Sequence, residues 1–306
     1  MHDSSRPDND KAMRLTYDRS LNVPYGENIA LSPRISRVLA PNPSVFTFKG
    51  TGVYIVGNGA SVAMIDPGPA LEPHIEALKR ALAGRTLSHI LITHTHRDHY
   101  PATAPLKAWS GAQTYAAAPA LHGNDAQNAI AKAHDRDFVP DHVLSDGDVI
   151  AGDGFTLQAV ATPGHTADHM CFALREESAL FCGDHVMGWS TSVIAPPDGD
   201  MGAYLSSLEM LIARDDAILY PTHGSPIPAP QDYLRALLAH RHTRHAHVLA
   251  ALEHEAQTLE ALTKKLYPMI TPGLHLAARI QVLAHLILLE QQGQVTRDDV
   301  KYRLPT

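Results

Sequence analysis

The sequence predicts an α/β domain followed by a small helical one, and three observations carry this reading. From Val45 to Tyr220, short apolar runs of strand type alternate with amphipathic stretches of helical period. Several of the predicted strands end in histidine or aspartate next to glycine, the edge at which open α/β folds place their sites. After Pro230 only helical patterning remains.

Composition narrows the function classes. The 306 residues are 44% hydrophobic and 19% charged, as in a soluble globular protein. A net charge of -7 argues against a chain built mainly to grip nucleic acid or an anionic membrane. No run of about 18 apolar residues is present, so no membrane-spanning helix is expected. The N-terminal text lacks the apolar core of a secretory signal, and a cytoplasmic location is the expectation. Two cysteines are too few for a disulfide framework. A tight hairpin about residues 175–178 would set Cys171 opposite Cys182 as buried thiols.

Residues 1–34 read as a polar, extended or poorly ordered arm, 35–230 as the main domain and 231–306 as the helical one. Val53–Val56 and Val62–Ile65 flank Gly57-Asn58-Gly59, a hairpin signal. Residues 72–83 carry Ile75, Leu78, Ala81 and Leu82 on one helical face, stopped by Gly84. His89–Ile92 reads as a buried strand. A second hairpin is expected where Val143-Leu144 and Val149-Ile150 flank Asp146-Gly147-Asp148. Phe155–Ala161 alternates as a strand, 202–213 is a helix, and Ala217–Tyr220 is a strand. In the tail, Leu234–Glu253 is amphipathic; Leu259, Leu262 and Leu266 form one face, and Leu276, Ile280, Leu283 and Ile287 another.

The chemistry concentrates after the His89–Ile92 strand, where the chain reads His94-Thr95-His96-Arg97-Asp98-His99. Imidazole and carboxylate are the ligands of borderline-soft divalent metals. At extended spacing His94 and His96 point the same way and can share one ion, while Asp98 and His99 point aside, toward a second. Three later strands end in Pro163-Gly164-His165, Gly183-Asp184 and Thr222-His223-Gly224. Glycine beside each ligand lets the backbone turn sharply. A run of histidines at 240, 242, 245 and 247 is interleaved with Arg241 and Arg244, whose charge opposes metal binding, and is expected to be a solvated or domain-contact face.

These motifs resemble the metallo-β-lactamase superfamily, over about residues 35–228. The resemblance implies an αββα sandwich. It also implies a binuclear zinc hydrolase in which His94, His96 and His165 hold one ion, Asp98, His99 and His223 hold the other, and Asp184 bridges them. A hydroxide shared by the two ions would attack the substrate, steadied by Asp98. Asn42-Pro43, Phe48–Thr51, Tyr54–Val56 and Ile65–Gly68 are similar to the group around β-lactamase-like protein 2, as are the helical tail and its Gly293–Val295 strand, which would form a winged-helix-like domain. Asp66, Thr166 and Thr93 are candidates to orient the ligands. His185 is a pocket or packing residue, and Trp189 would reshape the pocket beside the ligands.

The expected substrate is a small-molecule ester, thioester, lactone or amide. The alternatives are a metal-dependent endoribonuclease or phosphodiesterase, and an iron-dependent sulfur dioxygenase on the same scaffold; iron or manganese is the alternative to zinc. The tail carries nine Lys/Arg against seven Asp/Glu, too balanced to grip RNA. It is expected to act as a lid, a packing element or a homodimer contact, and to be dispensable for metal binding because it holds no candidate ligand.

Overall fold

A computed structural model of the chain describes residues 15–118 and 138–305. The first fourteen residues of the expected arm lie outside the described residues; its last part, Asn28–Ala30, is an edge strand, β1. Next come β2 (Ile35–Leu39), β3 (Gly52–Val56), β4 (Ser61–Ile65), β5 (Thr86–Leu91), β6 (Gln113–Ala117) and β7 (His142–Leu144), which form a seven-stranded sheet in that order. A second sheet of six strands runs β13-β12-β11-β10-β9-β8. Its members are β8 (Val149–Gly152), β9 (Phe155–Ala161), β10 (Met170–Leu174), β11 (Ala179–Gly183), β12 (Ile218–Pro221) and β13 (Ile227–Pro228).

The sheets face each other across Tyr54, Val56, Ile65 and Leu91 on one side and Phe155, Leu157, Phe172 and Phe181 on the other. Helices α1 (Glu72–Ala81) and α2 (Thr103–Ser110) cover the outer face of the first sheet through Ile75, Leu78 and Leu106. On the outer face of the second, α3 (Met201–Ile212) packs Tyr204 and Leu208 onto Val160, Cys171 and Leu180. The result is the expected αββα sandwich. Both faces of each sheet are buried, which explains why β3, β10 and β11 read as continuous apolar runs rather than alternating ones.

The hairpin expected at 143–150 does not form. The turn itself is present, with Gly147 at φ +84° and its N–H donating to Ala159 O. However, β7 pairs in parallel with β6, while β8 pairs antiparallel with β9, so the chain crosses between sheets at this point. Turn signals report a reversal of direction, not which strand each arm will pair with. The cysteine hairpin does form, closed by a 3-10 turn at Arg175–Glu177. Its register of Phe172 with Phe181 places Cys171 opposite Cys182, both buried free thiols.

The C-terminal segment contains α4 (Gln231–Ala251), α5 (Leu259–Leu266) and α6 (His275–Gln291). A small sheet joins them, made of β14 (Gln257–Thr258), β15 (Thr296–Asp298) and β16 (Lys301–Arg303). The strand expected at 293–295 is instead a turn, with Gly293 at φ +70°, and the wing follows it. The single apolar face expected on α6 is also corrected. Leu276 is exposed, and the helix buries two faces: Ala284 and Leu288 join the core beneath α3, while Val282, Leu286 and Leu289 build a separate core with Leu262 and Tyr302. A helix shared between two cores has no single stripe to read. Residues Pro272–Gln291 are long and apolar enough to cross a membrane by composition, but half of that length is buried inside the fold, the place of a core helix.

Tyr54 links the two sheets: its ring is buried and its hydroxyl donates to Pro221 O at 2.6 Å. Tyr54→Phe should leave that carbonyl unpaired and cost about 1–3 kcal/mol, read as a lower urea midpoint with an unchanged slope.

Candidate metal centre

Every ligand predicted from the sequence sits at the C-terminal end of a strand or in the loop that follows it. β5 delivers His94, His96, Asp98 and His99; the β9–β10 connection delivers His165; β11 delivers Asp184 and β12 delivers His223. The fold brings all seven together. Three overlapping groups have ligand atoms within 4.8 Å of one another: His94, His96 and His165; His94, His99 and Asp184; Asp98, His99 and His223. His94 Nε2 lies 2.8 Å from His96 Nδ1, and His165 Nε2 lies 3.2 Å from that same nitrogen. His223 Nε2 is 3.0 Å from Asp98 Oδ2 and 3.4 Å from Asp184 Oδ1. Asp184 Oδ2 is 3.6 Å from His99 Nε2 and 3.8 Å from His165 Nε2, so this carboxylate stands between the two sets.

Four of the five imidazoles are oriented the same way, by an acceptor behind the ring. His99 Nδ1–H donates to Asp66 Oδ2 at 2.9 Å, His165 Nδ1–H to Val193 O at 2.6 Å, and His223 Nδ1–H to Gly50 O at 3.1 Å. Thr93 Oγ1 donates to Asp66 Oδ2 at 2.7 Å and therefore accepts from His94 Nδ1–H at 3.0 Å. Each of these bonds leaves Nε2 as a lone-pair donor facing the centre, the arrangement that fixes metal-binding histidines. Whether the residues fit a cation is decided by the atoms left over. His99 Nε2, His223 Nε2 and Asp184 Oδ1 are buried with no hydrogen-bond partner, which is costly unless a positive ion takes the lone pairs. The donor set of imidazole nitrogen and carboxylate oxygen suits a divalent transition metal.

The protein's own charges are sorted as well. Burial, and then the neighbouring rings of His99, His96 and His165, hold His94 well below the ordinary histidine range. Burial also pulls on His99, but Asp98, Asp184 and Asp66 outweigh it and push that ring well above the range, so the same carboxylates that favour a proton there would favour a cation in its place. For Asp98 burial pushes up, and His99 and His223 overcome it, so the carboxylate stays ionised.

Asp66 lies behind the ligands with no exposed surface. Besides His99 and Thr93 Oγ1, it accepts from Thr93 N at 2.8 Å and from Thr222 Oγ1 at 3.0 Å. Thr166, also a candidate for orienting a ligand, does not do so: its hydroxyl is buried without a partner, and His165 turns to Val193 O instead. His185 is packed away from the ligands. Its ring lies 4.6 Å from that of Tyr204, neither nitrogen has a hydrogen-bond partner, and burial, with His165 and Arg241 nearby, pulls it down to about 3. Trp189 does stand beside the site. It stacks on Phe48 at 4.9 Å and lies against Gly224, where an added Cβ would come within 2.9 Å of the indole. Among the described residues the His240–His247 run forms no metal-sized group; His242 and His247 are exposed, and His245 pairs with His285 at 3.2 Å.

Several functional residues were missed in the sequence. His169, hidden in strand text, accepts from Asp184 N at 3.3 Å while its Nδ1–H donates to Thr162 Oγ1 at 2.8 Å. Gly183, at φ +51°, makes room for it: a Cβ there would lie 2.5 Å from His169 Nε2. Arg37 is buried within β2 and donates to Gly224 O at 2.9 Å. A lone arginine inside an apolar strand run was the available signal. Arg241 and Gln281 both donate to Ser192 O, at 2.6 and 2.8 Å. Ser192 Oγ in turn contacts Asp184 O at 2.5 Å.

The αββα sandwich with this strand-end cluster defines a class, and sequence comparison agrees with it. Residues 47–223 match the model of the metallo-beta-lactamase superfamily, and residues 258–302 match the beta-lactamase associated winged helix domain. The chain belongs to the metallo-β-lactamase superfamily and ends in that winged helix. It is 32% identical over 273 residues to a protein of Caenorhabditis elegans named beta-lactamase-like protein 2 homolog, with 87% of each chain covered. It is 36% identical over 228 residues to an atrochrysone carboxyl ACP thioesterase of Paecilomyces divaricatus, covering 73% of this chain and 66% of that protein, just under two-thirds of its length. A beta-lactamase domain protein from Burkholderia ambifaria has the same fold, with a TM-score of 0.79 at 19% identity, covering 97% of this chain and 99% of that one.

Asp66→Asn keeps the volume but puts an amide N–H against one of its donors. It should lower affinity for a divalent cation about 10–100-fold, measured by competition with a chromogenic chelator, with a smaller effect on the folded content seen by circular dichroism.

Proposed function

We propose that this chain is a hydrolase that works with two divalent cations, zinc foremost, on the acyl bond of a small molecule: a thioester first, and otherwise an ester, lactone or amide. The observation that carries the reading is the convergence of five imidazoles and two carboxylates with the lone pairs of His99 Nε2, His223 Nε2 and Asp184 Oδ1 buried and unpaired. By this reading His94, His96 and His165 hold one cation, Asp98, His99 and His223 the other, and Asp184 stands between. Bound there, such ions supply Lewis acidity, which makes water reactive near neutral pH and polarises a carbonyl.

The chain's own groups do the rest. Asp98 keeps about a quarter of its side chain exposed, more than Asp184, His99, His165 or His223. Of the two carboxylates it is therefore the one that meets incoming water. Its carboxylate accepts a proton from the attacking water, whose oxygen bonds to the acyl carbon. The carbon–sulfur bond breaks, and the proton passes to the departing sulfur, giving a carboxylic acid and a thiol. His223 Nε2, 3.0 Å from Asp98, is close enough for the two to share one cation, which would hold that carboxylate in place. Serine or cysteine is not needed as nucleophile: burial pushes the Cys171 thiol up to about 12, too high to be a thiolate, and Cys182 well above its usual range. The name of the Paecilomyces divaricatus relative supports the choice of thioesters.

The reading is tested by two variants. Asp184→Asn removes charge between the two sets and should weaken both sites, whereas His94→Ala should chiefly cost one. Hydrolysis of model thioesters should fall by several powers of ten in each. Zinc stoichiometry at fixed free zinc should separate them. Two tightly held ions with near-normal turnover in Asp184→Asn would refute the reading.

A further inference from the structure

Between the loop at 187–193, which follows Asp184, and the C-terminal segment lies a cleft of about 180 Å³. Its walls are mainly apolar, with Phe46 and Trp189 on one side, Ile270, Leu274 and Ala277 on the other, and Val193 joining them. No charged side chain lines it. Two of these residues connect it to the centre. Val193 turns its carbonyl to His165 Nδ1 at 2.6 Å while its side chain lines the cleft. Trp189 lies against Gly224, the residue after His223, and Phe48 stacks on its ring with only 13° between the planes. The indole is thus a fixed wall rather than a mobile lid.

We propose that this cleft binds the apolar acyl group of the substrate, one aromatic ring or a chain of about six carbons, and that the C-terminal helices thereby set acyl-chain selectivity. The proposal rests on the hydrolase reading above for the reaction at the scissile bond. Charge argues for an acyl group over a phosphodiester, because a cleft with no cationic lining has nothing to neutralise phosphates. Size sets the upper limit: an apolar cavity of about 150 Å³ holds a benzene ring, and sites for drug-sized ligands begin at about 300 Å³. Position argues for the same occupant, since Trp189, which lines the cleft, lies against Gly224, the residue after His223. Ala277, on α6, is partly buried at the cleft and belongs to no core cluster, so a larger side chain there fills the cleft without entering a core.

The test compares N-acetylcysteamine thioesters of acetate, hexanoate and benzoate on the metal-loaded full chain. The native protein should favour hexanoyl and benzoyl over acetyl by about tenfold or more in kcat/KM. Ala277→Phe should cut that preference about tenfold or more. Leu276→Phe, one residue away and outside the cleft, should leave it unchanged. A preference that is absent, or identical in Ala277→Phe, overturns the proposal. A second readout needs no turnover. In a Trp109→Phe background Trp189 is the remaining tryptophan. Its emission should shift saturably with the hexyl thioether of N-acetylcysteamine, and this response should be lost when Ala277→Phe is added. A saturable response without hydrolysis of any thioester would keep the acyl cleft and sink the hydrolase reading. Hydrolysis without chain preference or emission change would do the reverse.

Discussion

The Asp66 carboxylate takes four hydrogen bonds from two loops, one on each sheet: two from Thr93 after β5, one from His99 in the same connection, and one from Thr222 after β12. A fully buried carboxylate is expensive unless donors surround it, and here those donors are what aim the candidate ligands. Through His99 the interaction is direct. Through Thr93 it reaches His94, because the hydroxyl that donates to Asp66 is left to accept from the imidazole. Asp66 itself sits at φ +50°, a conformation that costs a residue other than glycine on the order of 1–3 kcal/mol. The surrounding bonds offset that strain, and the turn at Asp66-Pro67-Gly68 carries it.

Two buried guanidinium groups perform a complementary task. Arg37 and Arg241 form no ion pair among the described residues, yet both are about 2% exposed. Each donates to a main-chain carbonyl in a loop that bears ligands: Gly224 O beside His223, and Ser192 O beside the carbonyl that orients His165. A carboxylate partner would have put another anion close to Asp98 and Asp184 and competed with them for cations. Bracing carbonyls instead adds no further anion to Asp98, Asp184 and Asp66. Arg241 also lies over the Tyr204 ring at 4.9 Å, which supplies a further favourable contact for its charge.

Much of this was legible in the sequence, and the reason is local. Ligands beside glycine at strand ends are encoded within a few residues, so His94 to His99, His165, Asp184 and His223 could all be named before their convergence was seen. Asp66 was legible for the same reason, as an aspartate in a strand-end turn. What stayed hidden depends on pairing between distant segments. The Asp146-Gly147 turn marks a reversal of the chain, but nothing near it says that β7 and β8 go to different sheets. His169 lies within ordinary strand text; the antiparallel pairing of β10 with β9 sets it against Thr162, and that of β10 with β11 brings it to Asp184. Arg241 falls in the histidine run whose pattern suggests a solvated or domain-contact face; the contact is the outcome for Arg241, and its partner, Ser192, is hidden because it is 49 positions away.

That last pairing changes what the C-terminal segment is for. Since it holds no candidate ligand, the sequence suggests that metal binding would survive its removal. The hydrogen bonds argue otherwise. Arg241 from α4 and Gln281 from α6 converge on Ser192 O, Ser192 Oγ contacts Asp184 O, and Val193 O orients His165. Removing the helices would leave the Ser192 carbonyl without these donors, and with it the loop on which one ligand depends directly and a second through its main chain. The α6 helix also supplies Ala277 to the cleft, and the connection leading into it supplies Ile270 and Leu274. Because α6 is shared between the core beneath α3 and the winged-helix core, a change in either core is felt at Gln281 and Ala277 together. Ligand placement and cleft shape are therefore tied to one shared helix rather than adjusted independently.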